Sequence, residues 1–295
     1  MGKEMESITS IKLIALIDNA THYEGPILAE NGISLFIEIK SKSSAIKILF
    51  DTGLTGNTLI NNSKQLNLDL STIDAIVISH NHYDHTGGLL NVLEKTGKPL
   101  PIIMHPDALK PKYAILPSLG IKKLTYTGPP FTWEKVKEKG GVFALSKGPL
   151  TIAENVMTTG EIPRSTEFES VEGFYIIDNG KFKEDILLDD QALALKINND
   201  SLVLIAGCGH SGIINTLQQA IKLTDAERVR AVIGGFHLID ATSDRIERTV
   251  QELKKLNPEI VVPMHCTGFK AKKKIADALP TAFRELYCGD YIEIV

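Results

Sequence analysis

Five apolar runs in this chain end in histidine: AIVISH, PIIMH, LVLIAGCGH, AVIGGFH and EIVVPMH. Each is of strand length, and helical patterns separate most of them, which is the rhythm of an α/β layered fold. In such folds the strand ends gather along one edge, and that edge carries function. His80, His105, His210, His237 and His265 are therefore expected to converge, although they span most of the sequence.

The first run leads into the densest chemistry of the chain, SHNHYDHTGG from Ser79 to Gly88. Side chains alternate along a strand, so His80 and His82 project to one side and can grip one metal ion. Asp84 and His85 fall on the turn that follows, ahead of the helical pattern of Leu89, Leu90, Val92 and Leu93, and can serve a neighbouring ion. Imidazole nitrogen and carboxylate oxygen suit zinc, iron or manganese, and two ions about 3.5 to 4 Å apart can share an activated water. The expected cofactors are two divalent metal ions, zinc first among them.

Composition narrows the remaining classes. With 295 residues, 43% hydrophobic and 23% charged, the chain can bury a substantial core. One domain over residues 1–295 is the simplest organisation, with an insertion at about 106–145, where several prolines interrupt the alternation. A net charge of −4 and a pI near 6.1 give no electrostatic footprint for nucleic acid, and Lys272 to Lys274 read as a solvated helix face. Cys208, Cys266 and Cys288 form neither a disulfide framework nor a CxxC site, so a cytoplasmic location is expected. The opening MGKEMESITS has no long apolar stretch and IKLIALI is only strand-length, so no signal or membrane helix is expected. Glu6 stands where a myristoylation pattern on Gly2 needs Ser or Thr. The partner expected is a small-molecule substrate, with no nucleic acid and no membrane; a homo-oligomer is compatible with the sequence.

HxHxDH followed by TGG resembles the signature of the metallo-β-lactamase superfamily, whose members are mostly hydrolases. FDTG (Phe50 to Gly53), GCGHSG (Gly207 to Gly212) and MHCTG (Met264 to Gly268) extend the resemblance along most of the chain. Together with TGEIPR (Thr159 to Arg164) and GGFHL (Gly234 to Leu238), they resemble the branch named after 7,8-dihydropterin-6-methyl-4-(β-D-ribofuranosyl)aminobenzene 5′-phosphate synthase. That branch also holds many proteins described only as metal-dependent hydrolases. The resemblance implies a four-layer αβ/βα sandwich, two mixed sheets face to face with helices outside, each half contributing one sheet.

It also implies roles for residues. His80 and His82 belong to the first metal, and Asp84, His85 and His265 to the second. Many relatives carry a histidine before the hairpin that leads to a bridging carboxylate. Here Asp189, Asp190 and Gln191 stand before the hairpin and Cys208 stands at the bridge. His210 is assigned as the missing ligand, with Cys208 or Asp190 as substitutes, because Gly207 and Gly209 permit an unusual backbone path. Asp51 is expected to orient ligands through a hydrogen bond. His105 is read as a core or capping histidine, since the superfamily does not normally use it. Asp84 and His237 are the catalytic candidates, His237 to polarise or protonate substrate. Helices begin after Gly87 and Gly212, where free N–H groups would favour an anion beside the metals. Glu161, Arg164 and Lys270 are the substrate-binding candidates.

The leading expectation is a dinuclear metal-dependent hydrolase that uses a metal-bound hydroxide on a small substrate bearing phosphate or carboxylate. The enzyme alternative is a transferase joining a dihydropterin pyrophosphate to an aminobenzene ribosyl phosphate. Di-iron redox chemistry and a non-catalytic metal-binding protein are the readings from other classes.

Overall fold

A computed structural model of the chain describes residues 7–295, so the reading of Gly2 and Glu6 lies outside the described residues. The first part of the chain runs β1 (Ile8–Ile17), β2 (Ser34–Ser41), β3 (Ala45–Phe50), α1 (Gly56–Gln65), β4 (Ala75–Val77), α2 (Tyr83–Thr86), α3 (Leu89–Thr96) and β5 (Leu100–Met104). There follow β6 (Lys112–Leu116), β7 (Ile121–Tyr126), α4 (Trp133–Glu138), β8 (Gly141–Leu145), β9 (Thr151–Ala153), β10 (Val156–Thr158), β11 (Phe174–Asp178) and β12 (Lys181–Glu184). The last part holds β13 (Ala192–Ile197), β14 (Ser201–Ala206), α5 (Ile213–Thr224), β15 (Arg228–Gly235), α6 (Ser243–Leu256), β16 (Ile260–Met264), α7 (Phe269–Ala278) and β17 (Tyr291–Ile294).

Two apolar faces per strand explain the layering. In β1, Ile11, Leu13 and Ala15 join a central cluster with Val203 and Ile205 of β14, while Ile14 and Leu16 turn to the other side. That outer side of the first half packs under α1, α3 and α4, through Leu59, Val92 and Val136. Leu202 and Leu204 likewise face α5, α6 and α7 through Leu217, Val250 and Ile275. Strands apolar on both faces must be covered twice, and an αβ/βα sandwich covers them.

The sheets depart from the expected one-per-half division in two ways. β1 pairs with β13 through the single register Ile8↔Ile197, which joins the halves into one hydrogen-bonded network. The last strand, β17, returns to the first half, antiparallel to β1. Within 106–145, β8 adds to β5 in the main network, whereas β6 and β7 pair with each other and with β11 and β12 in a separate four-stranded sheet. The three-residue connection from β13 to β14 turns through Asn198 and Asn199, both at positive φ, and the Asp200 N–H bonds back to the Ile197 carbonyl at 3.3 Å. Among the described residues no helix is long and apolar enough to cross a membrane.

Parallel pairing of β3, β4 and β5, and of β14, β15 and β16, sends their carboxyl ends to common edges. The loops after β4, β14, β15 and β16 carry His80, His210, His237 and His265.

Candidate metal centre

Asp51, at the end of β3, organises the first imidazoles. Its backbone is in the left-handed region, φ 56°, a conformation uncommon outside glycine, as are His237 at 44° and His265 at 46°. Asp51 Oδ1 accepts from the Ser79 N–H, and Oδ2 accepts from the Ser79 hydroxyl and from His85 Nδ1, all at 2.7 Å. The hydroxyl has one proton and gives it to Asp51, so it accepts from His80 Nδ1, 2.9 Å away. These partners leave His80 Nε2 without a proton, and it faces His82 Nδ1 at 2.9 Å and His210 Nε2 at 3.2 Å. Ligand atoms at about 2.1 Å from one tetrahedral ion would stand roughly 3.4 Å apart, close to this spacing.

A second group lies beside it. Asp84 Oδ2 is 3.4 Å from His265 Nε2 and 3.8 Å from His85 Nε2. His265 Nδ1 meets Asn19 Oδ1 at 2.7 Å, an oxygen that only accepts, so the proton sits on Nδ1 and Nε2 turns inward. Cys208 Sγ lies 3.3 Å from His85 Nε2. The sulfur stands within 4.8 Å of His80 and His210 on one side and of His85 and His265 on the other. A third set of donors, Cys208, His237 and Cys266, meets within the same distance.

Protonation divides the two groups. Burial, reinforced by the neighbouring histidines, drives His80 and His210 well below the usual imidazole value, and burial holds His82 down to about 3. These three present lone pairs at neutral pH. Burial also opposes charge on His265, but Cys266, Asp84 and Asp18 outweigh it and raise the group to about 9. His85 is raised in the same way by Asp84 and Asp51 against its burial. Asp84 is lowered, since His85 and His265 overcome its desolvation. The half-buried Asp84 carboxylate thus favours positive charge on His85 and His265, charge that a bound cation could supply instead. Burial pushes the Cys208 thiol up.

The structure brings together His80, His82, Asp84, His85, His210 and His265, with Asp51, Cys208 and His237 against them. It places the other sequence candidates elsewhere. Asp190 Oδ2 accepts from the Ser211 N–H at 2.7 Å and holds the GCGHSG loop. Arg164 also serves that loop, donating to the carbonyls of His210 at 2.7 Å and Ile186 at 2.6 Å. Glu161 meets His105 Nε2 at 3.0 Å, and His105 Nδ1 accepts from the Asp107 N–H, so both engage each other and a turn. Lys270 is exposed on α7. The expected anion site at the start of α5 is filled by the chain itself: the Glu169 carboxylate accepts from the N–H groups of Ile214 and Asn215, each at 2.9 Å. The Gly87 N–H is taken by the carbonyls of Gly53 and Tyr83. Glu169→Ala should therefore lower stability by about 1–3 kcal/mol, read from urea denaturation, because two buried donors lose their acceptor.

Sequence reasoning missed Asn19, Ser79 as a proton relay between Asp51 and His80, and Cys266. Asn19 had a signal, since it ends the apolar run of β1 as the histidines end theirs. Gly207 shows why the β14 end can approach the centre: a Cβ there would lie 2.1 Å from Ser79 Oγ and 2.8 Å from Asp51 Oδ2.

Above the donors lies a cavity of about 360 Å³ lined by His82, Asp84, Cys208, His210, His237 and His265. A second cavity, of about 500 Å³, shares Leu116, Phe174 and His237 with it.

The family described as Metallo-beta-lactamase superfamily matches residues 34–155. A 7,8-dihydropterin-6-methyl-4-(beta-D-ribofuranosyl)-aminobenzene-5'-phosphate synthase of Methanocaldococcus jannaschii is 34% identical over 290 residues, 97% of each chain. The crystal structure of Tm1679, described as a metal-dependent hydrolase of the beta-lactamase superfamily, superposes with a TM-score of 0.78 at 29% identity, covering 96% of this chain and 99% of that one. Igni18, a metallo hydrolase of Ignicoccus hospitalis, shares the fold at a TM-score of 0.51 and 17% identity, covering 97% and 99%.

Proposed function

Because the chain belongs to the metallo-beta-lactamase superfamily, a family of enzymes, we propose that it is a dinuclear metal-dependent hydrolase of a small substrate bearing phosphate or carboxylate. The observation that carries this reading is the buried convergence of His80 Nε2, His82 Nδ1 and His210 Nε2 beside Asp84, His85 and His265. Imidazole-rich donors with one carboxylate and a thiol fit zinc better than a carboxylate-rich redox centre. His80, His82 and His210 would hold one ion and Asp84, His85 and His265 the other, with Cys208 between them. Bound there, the ions would supply Lewis acidity and a nucleophilic water at neutral pH.

The chain's own groups do the remaining work. Asp51 and Ser79 hold His80 and His85 in the tautomer that points Nε2 inward, and Asn19 does so for His265. His237 faces the cavity with a buried Nδ1 that has no partner, and its ring lies 4.2 Å from that of His210. We assign it to polarise the substrate or to protonate the leaving group. Phe174, stacked on His82 at 5.2 Å, lines both cavities and places an apolar ring beside the centre.

Elemental analysis of protein purified without added metal should give two equivalents, and a panel of phosphoesters, lactones, thioesters and pterin pyrophosphates should reveal the substrate. Full turnover with one equivalent or none would overturn the dinuclear reading. His210→Ala should lower both metal content and turnover, whereas His237→Ala should lower turnover roughly 100-fold or more with both ions retained, as loss of a general acid or base does.

One observation favours a second reading, transfer between two substrates like the reaction named for the Methanocaldococcus jannaschii relative. The two adjoining cavities offer room for two reactants on either side of His237. In the pterin pyrophosphate assay, product formation that depends on an added aminobenzene ribosyl phosphate would select it over hydrolysis.

A further inference from the structure

We propose that the second cavity, of about 500 Å³, is a subsite for an anionic group, phosphate or carboxylate, carried by the substrate away from its reacting bond. The inference rests on the reading of the neighbouring centre as the place of reaction. The two cavities share Leu116, Phe174 and His237 in their walls, so a molecule that reaches across these side chains would occupy both. Its wall includes Arg245, on the first turn of α6. Nη1 of Arg245 donates to the Ser170 carbonyl at 2.7 Å, which fixes the side chain, while Nε and Nη2 are buried and have no partner. Among the described residues no carboxylate forms an ion pair with it. A guanidinium so placed bears a desolvation cost that an anion's oxygens would relieve, and its planar fork suits phosphate and carboxylate.

The surroundings say which part of a ligand lies where. Phe168 and Phe174 supply apolar surface, and Arg248 covers the Phe168 ring at 4.5 Å. Asp240 and Glu172 also line the cavity, but both are exposed, where solvent screens them, and Asp240 accepts from the Ser118 hydroxyl at 3.1 Å. The ligand class that fits is an aromatic or similarly flat body bearing a terminal anion. The Glu169 carboxylate, held by the start of α5, and Asp240 lend favourable charge to Arg245 without pairing with it, and among the described residues Arg245 is the one Lys or Arg side chain in this wall.

Phenylphosphonate, whose carbon–phosphorus bond resists hydrolysis, is the probe. Titration calorimetry with the purified, metal-containing full chain should show binding that Arg245→Gln weakens tenfold or more and Arg245→Lys weakens less, as loss of a charged hydrogen-bond partner implies. Ser118→Glu, an exposed change that adds like charge to the wall, should weaken binding in the same direction. His82→Ala should leave it within about twofold, since the subsite is separate from the donors. Binding lost in His82→Ala and unchanged in Arg245→Gln would overturn the inference, placing the anion at the metals, and so would absence of binding to the unaltered protein. Binding that follows Arg245 in a protein found to hold no metal would instead sink the hydrolase reading and leave the subsite standing.

Discussion

Replacing His82 by Ala is expected to remove metal and activity together while the fold persists. His82 Nδ1 is one of three nitrogens that meet around His80 Nε2, so its loss leaves two imidazoles and a weak site. Loss of a group that merely supports a ligand typically costs 10–100-fold in metal affinity, so loss of the ligand itself should cost roughly 100-fold or more. His82 stands at the turn before α2, outside the three large apolar clusters, and its removal leaves no cavity in them. Metal content by elemental analysis, turnover and circular dichroism should thus separate: the first two collapse and the third holds. Retained metal with lost activity would mean that His82 is not a ligand.

The second large effect is on stability and comes from Lys112, a lysine 1% exposed. Its Nζ lies 2.7 Å from Asp185 Oδ2 and bonds Asp189 Oδ1, while Asp189 Oδ2 accepts from the Asn81 N–H at 3.1 Å. One buried cation thus ties the small sheet to the turn between His80 and His82. Desolvation opposes its charge, but Asp189 and Asp185 raise its pKa, and Lys112 together with the hydrogen bonds lowers Asp189 against its own burial. Lys112→Met should therefore lower folding stability by about 3–5 kcal/mol at pH 7, since it strands two buried carboxylates. The sign with pH follows. In the intact protein the Lys112 contribution is present below its unfolded pKa of about 10.4 and is lost as pH rises through the higher folded value. The Asp189 contribution is present above about 3.9 and is lost as pH falls through its lowered value. In Lys112→Met the carboxylates have no cation, burial raises their pKa values, and the folded state takes up protons as pH falls. The deficit against the unaltered protein should shrink from pH 7 towards pH 4 in urea denaturation. A deficit that is small at pH 7, or that does not change with pH, would show that the triad contributes little.

Local signals were sufficient wherever an element is made by its own residues. The apolar runs with histidine ends appear as read, and the Asn198–Asn199 turn and the helix over 243–256 are equally local, because alternation, turn chemistry and helical period act within a few positions. HxHxDH was legible for the same reason, as one strand end and one turn carry four donors. His210 required a guess about backbone path, and the structure places it 3.2 Å from His80, 130 residues away.

What the tertiary structure decided is which polar groups meet across the fold. Arg164 and Glu161 looked like substrate contacts in a loop motif, but packing turns Arg164 to carbonyls and Glu161 to His105. The start of α5 looked open to an anion until Glu169 arrived from a loop 45 residues earlier. Lys112 sat in a proline-rich stretch with no period to read, and its partner Asp189 lies 77 positions on. A buried charge or N–H group must find a partner somewhere, and sequence shows only that need. The folded chain supplies the partner, because only closure of the two sheet halves brings such distant groups within hydrogen-bond distance.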